Sequence, residues 1–191
     1  NPIEPDLKNL SSITWLINPG GNPMNKYIKD FLGISHTLYT RGHLINPEDI
    51  VMKRGDYFMG FNTTESPEKW DHDGVAAWNS EGEEPAPPWF QLFKDIFSMK
   101  KDYILGFFSK SPFTLGFSKA QKALPSLLDD LAQLAGPGIR CTTRENILKY
   151  IKKREMLLVK GEGCLCLAKD FFELQAMAMV VEKACRAEIE S

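Results

Sequence analysis

Few side chains in this 191-residue sequence could do covalent or acid–base chemistry, and their spacing limits what each could do. The three histidines are His36, His43 and His72, and none has a second ligand at a spacing that would grip a metal. His36 falls on the polar side of an expected helix, His43 just past that helix's end at Gly42, and His72 in an acidic loop. All three read as surface or capping residues. Ser109, Ser111 and Ser118 invite a nucleophile reading, but no Gly-x-Ser-x-Gly elbow and no paired histidine accompanies them. Lys110 could act as a Schiff-base lysine if buried among Phe107, Phe108 and Phe113, because desolvation lowers a lysine's pKa. The simpler expectation pairs it with a carboxylate. Cys141, Cys164, Cys166 and Cys185 form no C-x-x-C motif. Cys164 and Cys166 are two apart in a strand-like run, so they share a face and read as buried thiols.

The elements that must position these groups follow from hydrophobic periodicity. Residues 1–23, with Pro2, Pro5, Pro19, Gly20, Gly21 and Pro23, read as an extended lead-in, and a single domain is expected over 24–191. Tyr27, Phe31, Ile34 and Leu38 recur at helical spacing, with Gly42 as the stop. Ile50–Met52 and Tyr57–Met59 flank Arg54-Gly55-Asp56 as a hairpin. Residues 62–86 are a polar loop with one strand over Val75–Trp78, and Glu81, Glu83 and Glu84 form a solvated rim. Pro87 and Pro88 suit the first turn of a helix carrying Phe90, Phe93, Ile96 and Phe97. Tyr103–Phe108 is apolar enough for a central strand covered on both faces. A helix over Leu124–Ala135 is expected next, then one opened by a capping box at Thr142 and Glu145. Met156–Val159 and Cys164–Leu167 form a buried hairpin around Gly161-Glu162-Gly163, and Asp170 caps a final helix. Tight hairpins outnumber parallel crossovers, which predicts an α/β fold in three layers, α/β/α, with a largely antiparallel central sheet.

Three stretches of this pattern resemble the class II aldolase/adducin family. They are Met156–Gly163 with the helix that follows, Phe108-Ser109-Lys110-Ser111-Pro112 after its apolar strand, and the opening helix ending Leu38-Tyr39-Thr40-Arg41-Gly42 before a hairpin. The resemblance spans about 24–188 and implies a class II aldolase-like fold. It also implies an enzyme that handles sugar phosphates with zinc or another divalent metal held by histidines. In this sequence Phe108 and Lys110 stand at the first two histidine positions and Glu162 at the third. Trp89 aligns with the catalytic glutamate, and Phe93 with a frequent histidine four residues on. Glu48-Asp49-Ile50-Val51 aligns with the phosphate-binding turn. Phenylalanine has no donor atom and an ammonium no lone pair, so no metal or other cofactor is expected, and these positions are vestigial. If the fold is kept, Lys110 and Glu162 should converge as an ion pair where the metal sat.

The resulting expectation is a class II aldolase/adducin-like protein that has lost metal-dependent aldol cleavage and acts as a binding or scaffold protein. The alternative is a lyase of aldolase or epimerase type, acting on a sugar phosphate or related carbohydrate through a rebuilt site around Lys110, Glu162 and Trp89. A small apolar molecule in an aromatic-lined vestigial pocket is a further candidate ligand. Composition agrees with a globular protein: 43% hydrophobic, 25% charged, formal net charge −2. No basic footprint across a whole face suggests nucleic acid, and no apolar run is long enough for a membrane span. A reducing, cytoplasmic compartment is expected, as is a homo-oligomer with the polar loop 62–86 and the terminal helix as contacts and Trp70 and Trp78 as exposed anchors.

Overall fold

Met24, Ile28, Phe31, Ile34 and Leu38 are buried along one side of helix α1 (Pro23–Thr40), the stripe its periodicity predicts. The computed structural model describes residues 23–62, 65–79, 90–126 and 128–191. Then follow β1 (Ile50–Arg54), β2 (Tyr57–Phe61), β3 (Val75–Asn79), α2 (Phe90–Met99), β4 (Leu105–Ser109), α3 (Pro112–Ser118), β5 (Leu124–Pro125), α4 (Asp129–Ala135), β6 (Gly138–Ile139), β7 (Cys141–Thr142), α5 (Ile147–Ile151), β8 (Met156–Val159), β9 (Gly163–Ala168) and α6 (Phe171–Glu190).

Seven strands form one sheet in the order β3-β2-β1-β4-β9-β8-β7. Every pairing in it is antiparallel except that of β7 with β8. β4 lies at the centre, with Phe107 opposite Ile50 on one side and Cys166 on the other. Strand alternation sends successive side chains to opposite faces, and both faces are apolar. Met52, Met59, Leu105, Phe107, Leu158, Cys164 and Cys166 join a core with residues of α1, α4 and α6. Val51, Phe58, Phe108, Leu157, Leu165 and Leu167 join another with Phe93, Phe97, Ile147 and Ile151 of α2 and α5. This is the three-layer arrangement. Gly106 is part of it, because a Cβ there would sit 2.6 Å from the Phe93 ring.

Several local expectations need correction. Leu124 starts no helix; it pairs with Ile139 in a separate two-stranded ribbon, and α4 begins at Asp129. Helix α3 was not expected, since seven residues with two phenylalanines and a glycine show no clear helical stripe. Thr142 is a strand residue, and the following turn is organised by Thr143, whose Oγ1 accepts from Asn146. The final helix does carry its cap: Asp170 accepts from the Glu173 amide at 2.8 Å and Glu173 accepts from the Lys169 amide at 3.1 Å. Trp70 is only 3% exposed and stacks on Phe61 at 4.5 Å, and Trp78 is half-buried against Phe90, so neither is an exposed anchor. Pro87, Pro88 and the Glu81, Glu83 and Glu84 rim lie outside the described residues.

Candidate functional site

β4 passes from hydrocarbon to hydrogen-bonding partners within two residues. Phe108 is fully buried beside Phe93, ring centroids 5.9 Å apart. The next residue, Ser109, places its Oγ 3.4 Å from that of Ser111, and Ser111 shares a 2.6 Å hydrogen bond with Nδ1 of His43. All three side chains are buried. His43 arrives there because Gly42 takes a left-handed turn, φ +79°, and the amides of His43 and Leu44 both donate to the Leu38 carbonyl. The His43 carbonyl in turn accepts from the Lys110 amide at 3.0 Å, tying the end of α1 to the end of β4. Burial lowers the pKa of His43, with the Arg41 charge adding to that and Glu182 opposing it. Glu182, on α6, accepts from the amides of Phe113 and Thr114 and from the Thr114 hydroxyl, and so closes the first turn of α3.

Lys110 is held by Asp49. Its Nζ lies 3.1 Å from one carboxylate oxygen and 3.0 Å from the other. Asp49 is completely buried at the end of the short turn Pro47–Asp49, where Asn46 also donates to it at 3.2 Å, and the lysine side chain is 17% exposed. Burial pushes the Asp49 carboxyl up to about 6 against the pull of the lysine. The carboxylate that the sequence assigned to Lys110 was Glu162, and that is corrected. Glu162 is half-buried and makes no ion pair with Lys110 among the described residues. The reason lies in the β8–β9 turn. Gly161 (φ +71°) donates to the Ser118 carbonyl at 3.3 Å, and Gly163 (φ +87°) donates to the Ser118 Oγ at 3.1 Å. The turn is therefore pinned through its backbone. A Cβ on Gly163 would come within 2.0 Å of the Ser109 carbonyl oxygen, so only glycine fits.

Of the four predicted site positions, Phe108 belongs to the core, Lys110 to the Asp49 pair, and Glu162 to the adjoining turn. Trp89 lies outside the described residues. The histidines are less exposed than a plain surface role requires. His43 is buried, while His36 and His72 are half-buried; His36 Nε2 lies 2.8 Å from the Trp70 carbonyl oxygen, and His72 lies 3.3 Å from Asn25. Contrary to the expectation from the sequence, a histidine does pair with the serines: His43 with Ser111. His43, Asp49 and Glu182 were missed because their partners lie more than sixty positions away. The one local signal was Gly42, a glycine that forces the next residue back across the helix end. The aromatic rings Phe90, Phe93, Phe97 and Phe108 pack on one another or on Phe58 and Trp78.

Chemically, the cluster holds one ammonium, one carboxyl that titrates near pH 6, and a serine–histidine hydrogen bond shielded from water.

No protein-family model and no curated protein sequence matches the chain. Solved structures do match. L-fuculose-1-phosphate aldolase from Thermus thermophilus superposes with a TM-score of 0.72 at 9% identity, covering 85% of this chain and 92% of that one. Sugar-phosphate aldolase from Thermotoga maritima gives 0.73 at 13% identity, over 88% and 96%. L-fuculose 1-phosphate aldolase from Glaciozyma antarctica gives 0.73 at 12% identity, over 91% and 78%. The chain has the class II aldolase-like fold, and its structural neighbours are members of the class II aldolase superfamily. At such low identity the likeness carries the fold alone.

These neighbours correct the expectation that no cofactor is involved, because class II aldolases typically use a divalent metal. The residues present do not match what such an ion requires. No three His, Cys, Asp or Glu side chains among the described residues converge on one point. Phe108 offers no donor, and the Lys110 ammonium is occupied by Asp49. Among the described residues the donor set does not fit the ion, and no catalytic step through it follows. Among the described residues, no helix is long and apolar enough to cross a membrane.

Proposed function

We propose that this chain is a class II aldolase-fold protein that no longer carries out metal-dependent aldol cleavage and works as a binding or scaffold protein. The observation that carries this reading is the Lys110–Asp49 pair beside a fully buried Phe108. Aldol cleavage of this kind needs an electrophile that polarises a carbonyl and a base that moves a proton. Here the Lys110 ammonium is already neutralised by a carboxylate 3.0 Å away. Breaking the pair to free either member would leave a buried charge without a partner, which is costly.

The test is a retro-aldol assay with L-fuculose 1-phosphate and related sugar phosphates, run with Zn²⁺, Mn²⁺ and Co²⁺ added in turn. The expected result is no aldehyde release above the metal-only control. Saturable turnover that is lost in Lys110→Met or Asp49→Asn would overturn the reading and favour a lyase with a rebuilt site.

The protein is also inferred to be a homo-oligomer, with α6 at the contact. Phe172 is 84% exposed, and Met179, seven residues on, shares its face of the helix and is half exposed. Light scattering at micromolar concentration should give a multiple of 21.6 kDa. A monomeric mass would remove this part of the proposal.

A further inference from the structure

The chain is close to neutral overall, but residues 140–160 hold seven Lys and Arg against two Glu. The structure gathers most of this charge on one surface. α5 buries Ile147 and Ile151 against the sheet, and Lys149, Lys152 and Lys153, at i, i+3 and i+4, point the other way and are exposed. Arg140, also exposed, folds over the Tyr150 ring with its guanidinium 3.7 Å from the ring centroid, and Lys149 stands 5.2 Å from the same ring. The cation–π contact fixes Arg140 beside the three lysines. None of these four cations takes part in an ion pair among the described residues. Of the two glutamates, Glu155 is directed to Lys100 and the Tyr103 hydroxyl, and Glu145 lies beside Arg144. Like charges crowded together with no local compensation destabilise the free protein, so the arrangement is complementary to a negative partner.

We propose that this face docks an acidic, extended protein segment. Three observations select that partner. The patch borders β7, the last strand of the sheet, which is paired within it only to β8, so an incoming segment can lie along the edge. The aromatic ring in the patch, Tyr150, has Arg140 over one face and packs against the apolar cluster of Ile147 and Ile151, which disfavours stacking of a nucleobase. None of the exposed large apolar residues, Ile45, Met99, Phe172, Met179 and Ile189, lies within the segment to enter a lipid surface. The inference goes beyond the reading of the Lys110–Asp49 cluster and does not depend on it, because the patch lies on β7 and α5, and β8 and β9 separate β7 from β4.

The test uses the whole chain and a fluorescent peptide of about 15 residues alternating Glu and Ser, read by anisotropy at about 50 mM and about 200 mM salt. Saturable binding that weakens at the higher salt is expected. Lys149→Glu/Lys152→Glu/Lys153→Glu should reduce affinity at least about tenfold, and the milder Lys149→Gln/Lys152→Gln/Lys153→Gln should do so in the same direction. Lys26→Glu/Lys29→Glu, two exposed lysines of α1, should change it less than about twofold. Circular dichroism melts verify that each variant is folded. No saturable peptide binding, equal losses in the α5 and α1 variants, or tighter binding to an oligonucleotide or to phosphatidylserine vesicles than to the peptide would each overturn the proposal.

Discussion

Leu105–Phe108 and Ser109–Ser111 are consecutive pieces of one chain, yet they are held in place by different kinds of partner. The first piece is surrounded by side chains that need only be apolar and of the right volume. The second is held by particular atoms: His43 Nδ1 on Ser111, the two oxygens of Asp49 on Lys110, and the His43 carbonyl on the Lys110 amide. This contrast sets where the site can vary. Substitutions in the apolar half should scale with volume, and substitutions in the polar half should scale with whether a partner is left stranded.

The largest expected effect tests the boundary between the halves. Gly163→Ala places a Cβ against the Ser109 carbonyl in a left-handed backbone conformation, and should cost roughly 4 kcal/mol or more. Gly161→Ala, with a similar φ but open space around it, should cost only about 1–2 kcal/mol. Equal losses on chemical denaturation would mean that the turn is not pressed against β4.

Lys110→Met comes next, at about 3 kcal/mol near pH 7, because it strands the buried Asp49 charge. The pH dependence has a definite sign. Asp49 holds its proton more tightly folded than unfolded, so its contribution is most favourable at low pH and is lost as pH rises from about 4 to about 6. Without the lysine its pKa rises further, so the cost of Lys110→Met should shrink as pH falls toward about 6, where the wild-type carboxyl also takes up its proton. Adding Asp49→Asn should recover much of the loss at pH 7. A penalty that stays constant between about pH 5 and about pH 7.5 would count against the ion pair.

Ser111→Ala removes the partner of His43 and should cost about 1–3 kcal/mol. The pKa of His43 is lowered in the fold, so its own contribution is present above the unfolded value near 6.5 and is lost as pH falls from there through the lowered folded value, opposite in sign to that of Asp49. NMR titration of the His43 ring should show the lowered value in the wild type. The smallest effect is that of Glu162→Ala, within about 0.5 kcal/mol, because no ion pair is lost. A cost comparable to that of Lys110→Met would restore the pairing first expected from the sequence.

The apolar half was readable because its information is local. The run Tyr103–Phe108 and the neighbouring thiols of Cys164 and Cys166, 3.9 Å apart, follow from alternation alone. The hairpins, the central position of β4 and the three layers follow from the same pattern. The polar half was not readable, because a hydrogen bond between His43 and Ser111 leaves no trace at either position in the sequence. Which carboxylate meets Lys110 depends on how the β1 and β9 hairpins meet across β4, so the sequence pointed to Glu162 and the role of Asp49 was missed. Helix α3 and the β5–β6 ribbon were missed for another reason: elements of seven and two residues are too short for a periodicity to develop.

The central strand is also the one whose neighbours are made furthest apart in time. β1 precedes β4 on the ribosome, but β9 is not finished until Ala168. At ordinary elongation rates the intervening stretch takes roughly 3–12 s to synthesise. During that interval the nascent chain carries a strand reading Leu-Gly-Phe-Phe-Ser with one edge unpaired and the α6 layer not yet made. An open apolar edge of this kind is a template for pairing with other chains. The fold therefore commits its own biosynthesis to a waiting period, in which ribosome-bound chaperones or slow collapse must shield β4, and a ribosome stalled between Lys110 and Glu162 leaves a product prone to aggregate.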